Sequence, residues 1–183
     1  MAHTFDPAMA DRLEDPSRYR YCSREELVAL VDPDPGDLIA DVGSGTGFYT
    51  RDVAPHAGRV LGLDLQSAMH DLFRDKGVPG NVSLLSADAD DLPVREGALD
   101  GAFATMTFHE IATERALAEL ARAIAPGGRF AAVDWSAAGV GEAGPPVGDR
   151  QSAASAADML EAAGFTVERA GERPETFALV ATR

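Results

Sequence analysis

The sequence predicts an α/β protein built on a mostly parallel sheet with helices covering both faces. Three observations carry that expectation. From about residue 37 onward, short apolar or β-branched runs alternate with longer stretches of helical periodicity. The first run ends in an acid, Asp41, and continues through Gly43, Gly45 and Gly47 before a helix starts, the pattern of a tight strand-to-helix turn. A second irregular stretch, residues 137–148, is rich in Gly and Pro and follows another strand's carboxyl end, the edge at which open α/β sheets bind ligands.

Taken in order, Ser23, Arg24, Glu25 and Glu26 read as a capping box that opens a helix running to Val31, and Asp32-Pro33-Asp34-Pro35-Gly36 closes it. Residues 1–36 are therefore expected as a helical N-terminal appendage or cap, on a sheet domain spanning 37–183. The expected strands are 38–42, 59–64, 82–86, 99–105, 129–134, 165–170 and 176–181. Helices are expected at 46–54, 66–76, 113–124 and 152–163, the third with Ala116, Leu117, Leu120 and Ile124 on one face. Pro126-Gly127-Gly128 stops that helix and turns the chain into the next strand.

The chain has 183 residues, 45% of them apolar, enough for one domain with its own core. Thirty acidic residues against 16 basic ones give a formal charge of -14, which disfavours a grip on phosphate backbones, so nucleic acid is not an expected partner. All basic residues but Lys76 are arginines. A carboxylate-rich surface fits adaptation to high salt, and it equally fits GC-rich coding with ordinary solubility; both stay open. Cys22, the single cysteine, excludes an internal disulfide and a Cys-rich metal site, and reads as a packing residue. The chain has no apolar run of about 18 residues, and residues 1–6 lack the basic start of a signal peptide. The expectation is a cytoplasmic protein with no membrane partner and no metal.

The glycine turn is where chemistry is expected, because the first free amides of the following helix point into the same space as the glycine backbone. A dinucleotide fingerprint starting at Gly43 would need a third glycine where Phe48 stands, and the loop lacks the Lys and Ser/Thr of a phosphate-binding P-loop. Asp64, ending the next strand, falls beside the loop, where a carboxylate can accept both hydroxyls of a ribose.

With these residues the chain resembles the class I S-adenosylmethionine-dependent methyltransferases over roughly residues 36–183, especially the small-molecule group related to the quinone-biosynthesis enzymes. The glycine loop matches at Asp41, Val42, Gly43, Ser44, Gly45, Thr46 and Gly47, and the ribose acid at Asp64. The resemblance implies that Leu65 packs against the adenine. It also implies that residues 87–94 supply Asp88 to the exocyclic amine and Ala89 as a backbone amide. Residues 99–110, which include Thr105, resemble the strand and turn bordering the sulfonium end, and residues 120–130 resemble a structural helix, turn and strand. The implied fold is a Rossmann-like, doubly wound, seven-stranded sheet of order 3-2-1-4-5-7-6 with the last strand antiparallel. The implied cofactor is S-adenosylmethionine, and the implied reaction a direct SN2 methyl transfer to a small-molecule acceptor.

Such a transfer leaves a neutral thioether, so the protein must align the reactants, exclude water and, where needed, take a proton. No nucleophilic triad is expected. His109 and Glu110 are the expected base or acceptor contacts; packing or capping of the following helix is the competing reading for His109. His3, His56 and His70 are expected at the surface. Gly144, Pro145 and Pro146 resemble a stretch that covers the site in similar enzymes, so this loop reads either as a lid whose Arg150 orients an anionic substrate or as a plain connector. Tyr19, Tyr21 and Trp135 are expected to line the acceptor pocket, which a second subunit could complete as a homodimer.

Thr105-Met106-Thr107-Phe108 departs from the Asn/Asp-Pro-Pro-Phe/Tyr signature of enzymes that methylate exocyclic base amines or glutamine amides, and one cysteine is too few for an arsenic methyltransferase. Two other functions compete. One is an NAD(P)-dependent oxidoreductase, disfavoured by Phe48 and by the lack of a Tyr-x-x-x-Lys pair. The other is a non-catalytic S-adenosylmethionine-binding regulator.

Overall fold

The computed structural model describes residues 5–183; the expectation for His3 lies outside the described residues. Seven strands form one sheet: β1 Leu38–Val42, β2 Arg59–Asp64, β3 Val82–Ser86, β4 Leu99–Thr105, β5 Ile124–Trp135, β6 Thr166–Glu172 and β7 Thr176–Thr182. Their order is β3-β2-β1-β4-β5-β7-β6. Neighbours from β3 to β5 run parallel, and β7 is antiparallel to both β5 and β6. The predicted class and order therefore hold. β1 to β4 begin and end where the sequence placed them. β5 starts earlier than expected, because the backbone of Gly127 and Gly128 bonds to that of Arg183 and extends the pairing with the chain's end.

The helices are α1 Arg24–Val31, α2 Thr50–Val53, α3 Ser67–Asp75, α4 Phe108–Ile111, α5 Glu114–Ala123 and α6 Ala153–Ala162. α1 has half of its capping box: Ser23 Oγ accepts the Glu26 amide at 3.2 Å, but the Glu26 carboxylate pairs with Arg173 instead of returning to the cap. Thr113 and Ser152 cap α5 and α6 through amides three residues on, each at 3.0 Å, contacts of about 1 kcal/mol apiece. α2 is shorter than expected because the left-handed glycines of the turn delay its start. α4 is a four-residue helix the sequence reading left as a turn. Ahead of α1, Pro7–Glu14 and Pro16–Arg20 form 3₁₀ segments opened by the side chains of Asp6 and Asp15.

Alternating strand residues feed two core layers, as a sheet covered on both faces requires. One face buries Ala40, Val42, Ala102 and Phe130 with Leu117, Leu120 and Leu160 of α5 and α6. The other buries Ile39, Val60, Phe103 and Val133 with Leu27, Leu30 and Val31 of α1 and with Tyr49 and Val53. Both layers hold β1 and β4 at the centre of the sheet, where the strand order reverses and α/β sheets place ligands beyond the carboxyl ends.

Candidate active site

At that reversal the chain leaves β1 through Gly43, Gly45 and Gly47, whose φ values of 80°, 53° and 81° lie in the left-handed region. Two of them are fixed by crowding as well. A Cβ at Gly43 would stand 2.2 Å from Thr107 Cγ2, and one at Gly47 2.1 Å from Phe73 Cε1. The amides of Gly43 and Ser44 donate to the Leu63 carbonyl at 2.8 and 2.9 Å, which ties the loop to β2.

β2 delivers Asp64 to the loop. Its Oδ2 accepts the Gly45 amide and its Oδ1 the Gln66 amide, both at 2.8 Å, leaving each oxygen further acceptor capacity. Leu65 stands 51% exposed beside it, an apolar surface suited to the flat face of a base. The Ala87 amide donates to the Asp64 carbonyl at 3.0 Å and brings the third motif alongside, with Asp88 exposed and Ala89 half-buried. Gly43, Gly45, Asp64, Leu65, Asp88 and Ala89 thus share one edge.

Asp41, Ser44, Gly47 and Thr105 are buried. Asp41 accepts the Thr50 hydroxyl at 2.6 Å, and burial pushes its carboxyl up to about 7 despite that bond. Ser44 Oγ lies 3.4 Å from Nε2 of His70, whose Nδ1 is 3.4 Å from Ser86 Oγ. His70 was expected at the surface; it is fully buried, and burial holds its pKa below the ordinary histidine range. Met69, His70 and Phe73 form the inward face of α3, so helical spacing carried the signal. His56 is exposed. Thr105 is buried, its carbonyl accepting the Thr107 hydroxyl at 3.1 Å.

The N-terminal 3₁₀ segments lie over the loop. Leu13 Cδ1 is 3.6 Å from the Cβ position of Gly45, and Gln66 Nε2 donates to the Phe5 carbonyl at 2.9 Å. Glu14 receives the Thr46 hydroxyl, Arg51 Nη2 at 2.6 Å and Lys76 Nζ at 3.3 Å. Partial burial opposes its charge, yet these partners hold its carboxyl below the usual range. Tyr19 turns away from the sheet edge, donating to Asp52 at 2.8 Å and stacking on Phe48 at 4.8 Å. There it lines a cleft of about 570 Å³ beside α2, apart from the glycine amides.

Just beyond β4, His109 and Glu110 follow Phe108 in α4. The fully buried carboxylate of Asp134, near the end of β5, accepts the backbone amides of His109 and Trp135 and lies 2.9 Å from His109 Nδ1. His109 Nε2 is 3.9 Å from Glu110 Oε1. Burial works against an imidazolium here, but the bond and charge of Asp134, with Glu110 behind it, leave the His109 pKa raised. Burial, partly offset by His109, pushes Glu110 up to about 7. The sequence reading missed Asp134, although an acid closing the apolar run 130–133 gave the same signal as Asp64.

Tyr21 meets Trp135 edge-on at 4.7 Å and lines a cleft of about 460 Å³ with Glu142, Arg173 and Thr176. Arg150 departs from its expected role. Its side chain is 1% exposed, with Nε on the Pro145 carbonyl at 2.9 Å, Nη1 on Glu175 at 3.2 Å and on the Ser136 carbonyl at 3.3 Å, and Nη2 on the Ala143 carbonyl. Arginine's forked donors fold the loop onto itself, and no face of the cation is left for an anionic acceptor.

Residues 40–132 match the family model described as "Methyltransferase domain". A demethylmenaquinone methyltransferase from Corynebacterium kroppenstedtii is 31% identical over 121 residues, covering 64% of this chain and 48% of that protein. A ubiquinone/menaquinone biosynthesis C-methyltransferase from Ectopseudomonas mendocina is 33% identical over 113 residues, 57% of this chain and 44% of that protein. The chain thus spans less than half the length of these two relatives. A crystal structure of a SAM-dependent methyltransferase from Aquifex aeolicus superposes with a TM-score of 0.86 at 29% identity, over 97% of this chain and 98% of that one. No helix among the described residues is long and apolar enough to cross a membrane.

Proposed function

The chain belongs to the class I S-adenosylmethionine-dependent methyltransferases, and from that premise we propose that it moves the cofactor's methyl directly onto a small-molecule acceptor at the carboxyl edge of the sheet. One observation carries the reading: the Gly45 amide is bound to Asp64 at 2.8 Å, at the reversal of the strand order. It sets a carboxylate with spare acceptor capacity beside backbone that, at the glycines, carries no side chain of its own.

The residues fit the cofactor. Asp64 would hold the ribose hydroxyls, Leu65 the adenine face, and Asp88 with the Ala89 amide the edge of the base. Gly43, Ser44, Gly45 and Gly47 supply the close backbone, Asp41 supports it from below through Thr50, and Thr105 borders the reacting end. When bound, S-adenosylmethionine supplies a methyl on a sulfonium whose departure leaves a neutral thioether. His109 is the proton acceptor on the other side, with Glu110 and Tyr21 lining the acceptor's approach. Residues 5–36 act as a cap, since Leu13 and Glu14 lie on the glycine loop.

A charge of -14 favours a small molecule over nucleic acid, and the proposed place of action is the cytoplasm. Phe48, buried against Tyr19, disfavours the dinucleotide reading.

Isothermal titration calorimetry tests the proposal. S-adenosylmethionine and S-adenosylhomocysteine should bind, and Asp64→Ala should weaken binding by about 10- to 100-fold, the worth of charge-assisted hydrogen bonds. Binding of NADH alone would reject it.

A further inference from the structure

We propose that Asp134 is the positioning residue of a proton-accepting pair with His109, presenting Nε2 of the imidazole to an acceptor whose attacking atom carries a proton, a hydroxyl or an acidic carbon. The inference rests on the methyl-transfer reading above.

The surroundings of Asp134 favour one tautomer. Both oxygens of Asp134 are engaged: Oδ1 accepts the Trp135 amide at 2.7 Å, and Oδ2 accepts the His109 amide. A carboxylate held by amides from two elements cannot swing, so it offers the ring a fixed acceptor, with His109 Nδ1 at 3.1 and 2.9 Å from its two oxygens. An ionised carboxylate only accepts, so Nδ1 carries the hydrogen and Nε2 the free lone pair. The same oxygen that orients the ring also binds the backbone of its own residue, which ties ring and main chain together. At 3.9 Å, Glu110 Oε1 is too far for a direct hydrogen bond to Nε2.

The charged groups facing the ring are Asp134 from β5, Glu110 from α4 and Arg150 from the following loop, the last opposing protonation. The fully buried Asp134 stands ready to balance an imidazolium.

The step balances without a further reactant. The acceptor's proton passes to Nε2 as its electron pair forms the bond to the methyl carbon. The sulfur–methyl bond breaks with its pair returning to sulfur as a thioether, and the positive charge moves to His109. Water takes the proton before the next turnover.

A structural pair would show the same bond to Nδ1, but would not need Nε2 to titrate near neutrality. The test is long-range ¹H–¹⁵N correlation of the imidazole rings in uniformly labelled protein, from about pH 5.5 to about 9, with His109 assigned by His109→Gln. The parent should show His109 as the Nδ1–H tautomer, with Nε2 titrating above the ordinary histidine midpoint. Asp134→Asn should lower that midpoint and mix the tautomers; if that variant does not fold, the parent spectrum alone decides. An Nε2–H tautomer, or an Nε2 that does not titrate, overturns the pair. Calorimetry with S-adenosylmethionine on the same sample separates the two claims: heat of binding with the wrong tautomer sinks only the pair, and the right tautomer without binding sinks the methyl-transfer reading on which it rests.

Discussion

Gly47 and Asp41 show how single atoms constrain the glycine loop. A methyl at Gly47 would have to displace the Phe73 ring from 2.1 Å while holding φ at 81°, so Gly47→Ala should cost about 1–3 kcal/mol. Urea unfolding measures this; an unchanged midpoint would show that the ring yields freely. Asp41 makes its mark through pH. Its carboxyl moves from 3.8 to about 7 on burial, so its protonated form stabilises the fold at low pH, and that contribution is lost as pH rises through about 7. Asp41→Asn, still able to accept from Thr50, should therefore gain stability relative to the parent between about pH 4 and about pH 7. Parallel melts at several pH values check this, and a constant difference would contradict it. At this scale the sequence showed the residues whose roles are local to a motif, such as Gly43 and Asp64. It hid Asp134 and His70, whose surroundings are made by partners 25, 26 and 16 positions away. It also misdirected Arg150, because a cation in a Gly-Pro loop reads as free until the loop is seen to close around it.

The N-terminal 3₁₀ segment from Pro7 to Glu14 buries only Ala10, so contacts with the glycine loop and α3 must hold it in place. Glu14 reaches Thr46 in the loop, Arg51 on α2 and Lys76 just after α3. Glu14→Gln removes both ion pairs and should speed amide exchange over residues 7–20 severalfold while leaving β1 and β4 protected. Exchange mass spectrometry reads this, and unchanged rates would show that Leu13 and Phe5 suffice. The elements themselves were legible where periodicity was long: α5 and α6 start at recognisable caps. α2 was overextended because Thr46 to Tyr49 looks helical once the turn's left-handed glycines are ignored. α4 was missed because four residues cannot display a period.

For the whole molecule, 30 acidic residues against 16 basic ones leave a charge of -14, so self-repulsion opposes compaction and salt should relieve it. Raising potassium chloride from about 0.1 to about 1 M shortens the screening length from about 10 to about 3 Å and should raise Tm; a flat or falling Tm would mean that local pairs already balance the charge. The sheet order followed from the resemblance rather than from periodicity, since alternation announces a parallel sheet without ordering its strands. The acceptor stayed illegible because the residues proposed to meet it, around Tyr21, His109 and Trp135, lie far apart in the chain.

On the proposed reading, glycine backbone and Asp64 form one nucleoside crevice. A crystal structure with S-adenosylhomocysteine tests it most directly. The ribose hydroxyls should lie on the Asp64 carboxylate, the adenine against Leu65 and its amine toward Asp88. A ligand bound instead in the cleft beside Tyr19 and Arg24, with Asp64 keeping only its bonds to Gly45 and Gln66, would contradict it.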